Sequence, residues 1–224
     1  MSSDMKTVLV VGATGLVGSA FIRQALADDQ NLAIHALVRR ATTWQHKRYR
    51  ETVAATKDWS QVIVDDSPDA TFCALGTTIK AAGSKEAFRA VDFALVAAVA
   101  EAARGGDCRQ FVAISSGMAD ASARSFYLQT KGAAEDALIA QEFERLDILR
   151  PGLLRGDRQQ FRLGESLAIA ASPLMDLLLQ GPLKNFRSIH ADDVARAALK
   201  LLRDDTPGLY IHENSAIAEL AGTP

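Results

Sequence analysis

Val8-Leu9-Val10-Val11-Gly12-Ala13-Thr14-Gly15-Leu16-Val17-Gly18 is the stretch that decides the fold. A short apolar strand runs directly into G-x-x-G-x-x-G, and a helix should open from the last glycines. One glycine permits a tight turn, another lets backbone approach a pyrophosphate, and the third lets helix and strand pack closely. Free N–H groups and the helix dipole at such a helix start favour an anion. The strand–turn–helix context is what makes the glycines read as a dinucleotide site. The apolar run is short and ends in glycine, so it is expected to be neither a signal peptide nor a membrane span.

Outward from this turn, short apolar runs alternate with longer stretches of helical period, the pattern of βα units on a parallel sheet. Strands are expected near 7–11, 33–38, 51–56, 70–75, 110–115, 146–149 and 208–212. Helices are expected near 15–28, 84–104, 127–142 and 191–203. Phe88, Val91, Leu95, Val96 and Val99 should share one buried helix face, and Gly105-Gly106 should stop that helix. From 151 to 190 the alternation fails: Gly152, Gly156, Gly164, Pro173, Gly181 and Pro182 interrupt it. The expectation is an α/β doubly wound parallel sheet, a single NAD(P)-binding domain over 1–224, with a small substrate lobe at about 151–190.

Composition bounds the partners. The chain has 224 residues, 48% apolar and 23% charged, with a net charge of −2, so nothing electrostatic calls for nucleic acid or an anionic membrane. Trp44-Gln45-His46-Lys47-Arg48-Tyr49-Arg50 mixes bases with aromatics, but it is brief and isolated and reads as a solvated loop. A small-molecule substrate and a monomer or homodimer are expected. Cys73 and Cys108 lack metal or redox spacing, and Cys73 lies in an apolar run, so a reduced, cytoplasmic protein without zinc is the expectation. His35, His46, His190 and His212 share no metal spacing. His190 precedes a helix start carrying Asp192 and Asp193.

The end of the second expected strand bears on the cofactor. An NAD site usually has Asp or Glu there for the ribose 2′-hydroxyl, about 20 residues beyond the glycines. Here the residues are Arg39 and Arg40. A carboxylate would repel a 2′-phosphate and an Arg fork would grip it, so NADP(H) is expected over NAD(H). Arg39 is the preferred contact, and Arg40 is equally readable as a solvated charge. Asp58-Trp59 follows the third expected strand, as an adenine edge or a plain turn. Leu75-Gly76-Thr77-Thr78 ends the fourth, its glycine giving backbone room to pass the cofactor.

The reacting groups come later. Ile114-Ser115-Ser116 ends the fifth expected strand, at the edge where ligands bind. Tyr127 and Lys131 then lie at i and i+4, on one helix face. A phenol titrates near 10, and a nearby ammonium favours its ionised form, which suits it to acid–base work. A serine hydroxyl can hold the substrate oxygen, Ser116 in preference to Ser115. Lys131 would also bond the nicotinamide ribose.

Cys73-Ala74-Leu75-Gly76-Thr77-Thr78, Ser115-Ser116, Tyr127-Leu128-Gln129-Thr130-Lys131-Gly132, Leu149-Arg150-Pro151-Gly152-Leu153-Leu154 with Asp157-Arg158-Gln159, and Glu213-Asn214-Ser215-Ala216-Ile217 together resemble the atypical branch of the short-chain dehydrogenase/reductases. Within it the chain is similar to the Tat-interactive oxidoreductase group and its bacterial relatives. The resemblance implies an NADP(H)-binding Rossmann fold with Tyr127 as proton donor or acceptor. It also implies cofactor contacts at Thr14, Gly15, Leu16 and Val17, Arg39 and Arg40, Leu75 and Gly76, then Leu154 and Arg162. Many superfamily members carry a relay Asn on the fourth helix; Asp92 stands in the corresponding stretch. The substrate lobe is shorter than in sugar-nucleotide epimerases. The function expected is carbonyl reduction or alcohol oxidation on a small molecule. The rivals are a regulatory protein that senses NADPH without turnover and an epimerase or dehydratase with tightly held cofactor.

Overall fold

The computed structural model describes residues 5–27, 31–156 and 187–222. Seven strands form one parallel sheet: β1 (Lys6–Val11), β2 (Leu32–Val38), β3 (Tyr49–Val53), β4 (Ala70–Cys73), β5 (Gln110–Ile114), β6 (Arg145–Arg150) and, after two short strands described below, β9 (Gly208–Glu213). Their order is β3-β2-β1-β4-β5-β6-β9, with β1 near the middle and the direction of winding reversing between β1 and β4. That reversal opens a crevice at the C-terminal strand ends.

Because side chains alternate along a strand, β1 feeds two cores. Val8 and Val10 pack under α1 (Leu16–Ala27), and under α7 (Ala191–Leu201) and α8 (Asn214–Ala221), both from the C-terminal part of the chain. There Phe21 stacks on Phe72 with ring centroids 4.1 Å apart. Leu9 and Val11 face the other core, covered by α2 (Trp59–Asp66), α5 (Val96–Gly105) and α6 (Phe126–Ile139). A sheet buried on both faces explains why β1 shows no polar alternation. The short strands β7 (Leu154–Arg155) and β8 (Ile189–His190) pair with each other outside the main sheet.

Several expected boundaries move. β3 begins at Tyr49, two residues earlier than expected, and ends at Val53, three earlier, so Tyr49 and Arg50 belong to a strand in register with Ile34 and His35. The stretch after β3 is a helix rather than a turn. Trp59 opens α2, is buried, and donates from Nε1 to the Ala54 carbonyl at 3.1 Å, so its ring serves the core. The helix expected over 84–104 is a composite of α4 (Lys85–Arg89), a π turn over Ala90–Leu95 and α5. The π turn rotates Val91 and Leu95 off the fully buried face that Phe88, Val96 and Val99 keep. Gly105 and Gly106 do end it. α3 (Ile79–Ala82) and α8 lay outside the expected helices. Most of the expected substrate lobe, residues 157–186, lies outside the described residues. Among the described residues, no helix is long and apolar enough to cross a membrane.

Candidate functional site

The glycine turn sits at the end of β1. Gly12 has φ +82°, a left-handed conformation, and a Cβ there would lie 2.3 Å from the Ala74 carbonyl oxygen. The exits of β1 and β4 therefore touch backbone to backbone. Gly18 meets Gly12 in the same way, which lets α1 start tight against the strand. Above the turn Thr14 and Gly15 are exposed, and the first amides of a twelve-residue helix face that opening. A dinucleotide diphosphate fits this cradle, since among the described residues only backbone atoms lie within 4 Å of where a Cβ on Gly15 would stand.

Arg39 and Arg40 follow β2 directly and are exposed; among the described residues neither has a carboxylate partner. The next acid along the chain, Glu51 on β3, is engaged elsewhere: it accepts from the Thr42 N–H at 3.1 Å and from the Tyr49 hydroxyl at 2.9 Å. The Thr42 hydroxyl, which also donates to Glu51, holds the Glu51 carboxyl below its usual range, and burial pushes Tyr49 up to about 12. The loop after β2 is thus latched to β3 while the two guanidinium groups stay open to the crevice rim.

On the other side of the crevice, α6 carries Tyr127, Lys131 and Glu135 at four-residue spacing. Phe88, fully buried, packs on the Tyr127 ring with centroids 5.5 Å apart. Lys131 is nearly buried, its Nζ 2.7 Å from Asp92 Oδ1. Asp92 Oδ2 accepts the Thr77 N–H at 2.8 Å. A Cβ on Gly76 would stand 3.5 Å from Asp92 Oδ1 and 3.6 Å from Lys131 Nζ, so the Leu75-Gly76-Thr77 backbone runs directly beside the ion pair. Gly132 has its own role: a Cβ there would meet the Ala121 nitrogen at 2.1 Å, because the loop after the serines lies on α6 at this point.

The two serines part company. Ser115 donates its hydroxyl to buried Glu135, and Glu135 is also held by Arg150, with Arg150 Nε at 3.0 Å. Arg150 reaches on to Glu213 at 3.1 Å. Among the described residues the Ser116 hydroxyl has one long bond, 3.3 Å, to the Gly117 carbonyl. Ser115 is therefore committed to an internal network, and Ser116 is the freer hydroxyl at this strand end. Leu154 is half-buried against the same core as Leu16, and Gly156 rests on the Leu16 side chain, so the segment after β6 folds back over the phosphate turn. Arg162 lies outside the described residues.

Sequence reading missed Glu135, gave Arg150 only as part of a motif, and read Phe88 only as a buried helix position. Glu135 was findable, as the next i+4 position after Tyr127 and Lys131; the contacts of Arg150 and Phe88 with α6 cross between elements and carried no local signal. Cys73 and Cys108 are buried and unpaired, and burial pushes both thiols up to about 11. His190 caps the start of α7 in extended backbone without a side-chain cap bond, and Asp192 and Asp193 sit in its first turn. His212 instead pairs with buried Asp147 at 2.8 Å. Among the described residues no three His, Cys, Asp or Glu side chains converge as metal ligands.

Comparison with known proteins agrees with this geometry. The NAD dependent epimerase/dehydratase family matches residues 8–211. The mitochondrial protein FMP52 of Eremothecium gossypii is 36% identical over 95% of this chain and 96% of its own length. HTATIP2 of Rattus norvegicus is 34% identical over 73% of this chain and 69% of its own. Among solved structures, the Bordetella bronchiseptica enzyme WbmH in complex with NAD+ superposes with a TM-score of 0.71 at 19% identity, covering 97% of this chain and 80% of that one, which bears on fold alone. The cytoplasmic expectation is overturned, because the FMP52 relatives are named as mitochondrial proteins. It rested on free thiols, and two buried thiols do not tell one reducing compartment from another. The chain belongs to the NAD dependent epimerase/dehydratase family and, with FMP52 and HTATIP2, to the atypical short-chain dehydrogenase/reductases.

Proposed function

We propose that this protein is an NADP(H)-dependent oxidoreductase that reduces a carbonyl, or oxidises the corresponding alcohol, on a small molecule. The observation that carries the reading is Lys131: its ammonium lies on the helix face shared with Tyr127 and beside the Gly76 backbone, at the strand end nearest the glycine turn. Residues expected to bind cofactor and residues expected to move a proton thereby meet on one side of the crevice.

When bound, the nicotinamide ring supplies or accepts the hydride. The chain's residues do the rest. Arg39, aided by Arg40, grips a 2′-phosphate at the adenosine end, which is what favours NADP(H) over NAD(H). The amides after Gly12 take the diphosphate. Lys131 bonds the ribose and favours the ionised phenol of Tyr127. Ser116 holds the substrate oxygen, while Tyr127 gives that oxygen a proton in reduction or removes it in oxidation. The substrate is a small carbonyl compound or alcohol.

The test is oxidation of NADPH and of NADH by the purified protein across a panel of carbonyl compounds. NADPH should be preferred. Tyr127→Phe should lower kcat by about 10²–10⁴-fold; wild-type turnover in that variant would overturn the mechanism. Tight NADPH binding with no turnover on any carbonyl would favour a cofactor sensor instead. The family match and the NAD-bound structural relative favour, as a second reading, an epimerase or dehydratase that retains its cofactor. Cofactor copurifying in stoichiometric amount and not released on dialysis would support it.

A further inference from the structure

We propose that Asp92 is a positioning residue that pins Lys131 to the Leu75–Thr77 segment and sets the charge felt at Tyr127. The inference deepens the nicotinamide-dependent reading above and rests on it.

Three observations carry it. First, the helix over 85–105 is broken by a π turn, and Asp92 is inside that turn. Such turns re-aim a side chain at the expense of regular helix and occur often at functional sites. Second, Asp92 faces two groups at once: Oδ1 forms an ion pair with Lys131 Nζ at 2.7 Å, without hydrogen-bond geometry, and Oδ2 accepts the Thr77 N–H at 2.8 Å. One carboxylate therefore bridges the lysine expected on the ribose and the backbone expected alongside the cofactor. Third, Asp92 is 0% exposed and Lys131 only 6%. A buried ion pair is a poor device for stability alone, since apolar residues of similar volume do as well.

The surrounding charges make Asp92 the decisive one. A cavity of about 10 Å³, the size of a single water, adjoins the pair and is lined also by Cys73 from β4, Ser115 just after β5 and Glu135 from α6. Glu135 is neutralised by Arg150, which faces it from β6. Burial holds the Cys73 thiol up at about 11, so it is uncharged near neutrality. Among the described residues Asp92 is the one carboxylate paired with Lys131. The ammonium faces Asp92 as an ion pair without a hydrogen bond, so its N–H groups remain for the vicinal hydroxyls of a ribose. The paired carboxylate also offsets part of the ammonium's pull on the phenol one helical turn away.

Asp92→Asn separates these roles, because the amide oxygen can still accept the Thr77 N–H while the negative charge is lost. NADPH affinity is read by fluorescence titration of the full chain, and the pH dependence of carbonyl reduction by initial rates. The Kd for NADPH should rise about 5–10-fold, within the range for losing one charge-assisted contact. The alkaline limb of reduction should move to lower pH by about one unit, because removing a nearby negative charge favours the phenolate. Combined with Lys131→Met, Asp92→Asn should weaken NADPH binding no further. A role in folding alone would lower Tm and leave the pH limb in place. Should Asp92→Asn not fold, Asp92→Glu keeps the charge and displaces it, and should weaken NADPH binding with the pH limb held. An unchanged Kd and pH limb, a limb moved to higher pH, or losses that simply add in the double variant would each overturn the inference. Wild-type protein that fails to bind NADPH would overturn the functional reading itself.

Discussion

His35 is a titratable side chain on an otherwise apolar strand, 1% exposed. Its ring is saturated: Nδ1 lies 2.6 Å from Asp66 and Nε2 2.8 Å from the Thr52 hydroxyl, while Arg50 also takes Asp66. Burial outweighs the Asp66 hydrogen bond and holds His35 below its ordinary value of 6.5. The unfolded chain therefore binds the proton more readily than the folded one. Stability from this site is complete above the unfolded value and is lost as pH falls below it. Urea midpoints of wild type should decline between about pH 7 and pH 5 more steeply than those of His35→Gln; parallel curves would remove His35 from the account. At this scale, residues whose role depends on local spacing were legible. Gly12, Gly15 and Gly18 and the Tyr127–Lys131 pair needed only the chain's own period. Asp66 under His35 and Lys131 on Asp92 were not legible, since each pair joins two elements far apart in sequence.

Among elements, α6 concentrates the chemistry, presenting Tyr127, Lys131 and Glu135 in successive turns. Its third turn is fastened to the sheet through Arg150, which bridges Glu135 on the helix and Glu213 at the end of β9. Arg150→Met should leave Glu135 buried without its cation and destabilise the fold by about 3 kcal/mol. Ser115, which donates to Glu135, should be disturbed as well. Equilibrium urea unfolding measures the first effect, and a loss under about 0.5 kcal/mol would show the bridge to be a surface pair. The long elements with strong period, α1, α6, α7 and six of the seven main strands, were readable near their observed places. α2 was not, because eight residues with no side-chain cap leave too short a pattern to tell from a turn. The π turn was invisible for a different reason: nothing local marks it, and the contact Asp92 makes from it is with another element, α6.

For the whole molecule, the arrangement that matters is how late residues complete an early core. α1 packs on α7 and α7 on α8. Arg23 pairs with Asp192, 169 residues away in the chain. Lys6 at the start of β1 donates to Gln110 and to the Leu202 carbonyl. A chain ended after Pro151 would therefore expose Val17, Phe21 and the outer face of β1, and it should show no cooperative thermal transition. A sharp melt in that fragment, followed by circular dichroism, would mean that the N-terminal βα units stand alone. The doubly wound architecture was legible from alternation of runs; which helix covers which face was not, because that depends on strand order.

The pairing of α1 with α7 has a consequence in the life of the chain before it functions. As the polypeptide leaves the ribosome, β1 and the glycine turn emerge well ahead of α7 and α8, which complete their helical cover on that side. Loop closure over such a separation is slow, and parallel pairing cannot shorten it. Until those helices follow, α1 alone covers that apolar face of the sheet. The surroundings of the glycine turn are then among the parts most in need of a chaperone.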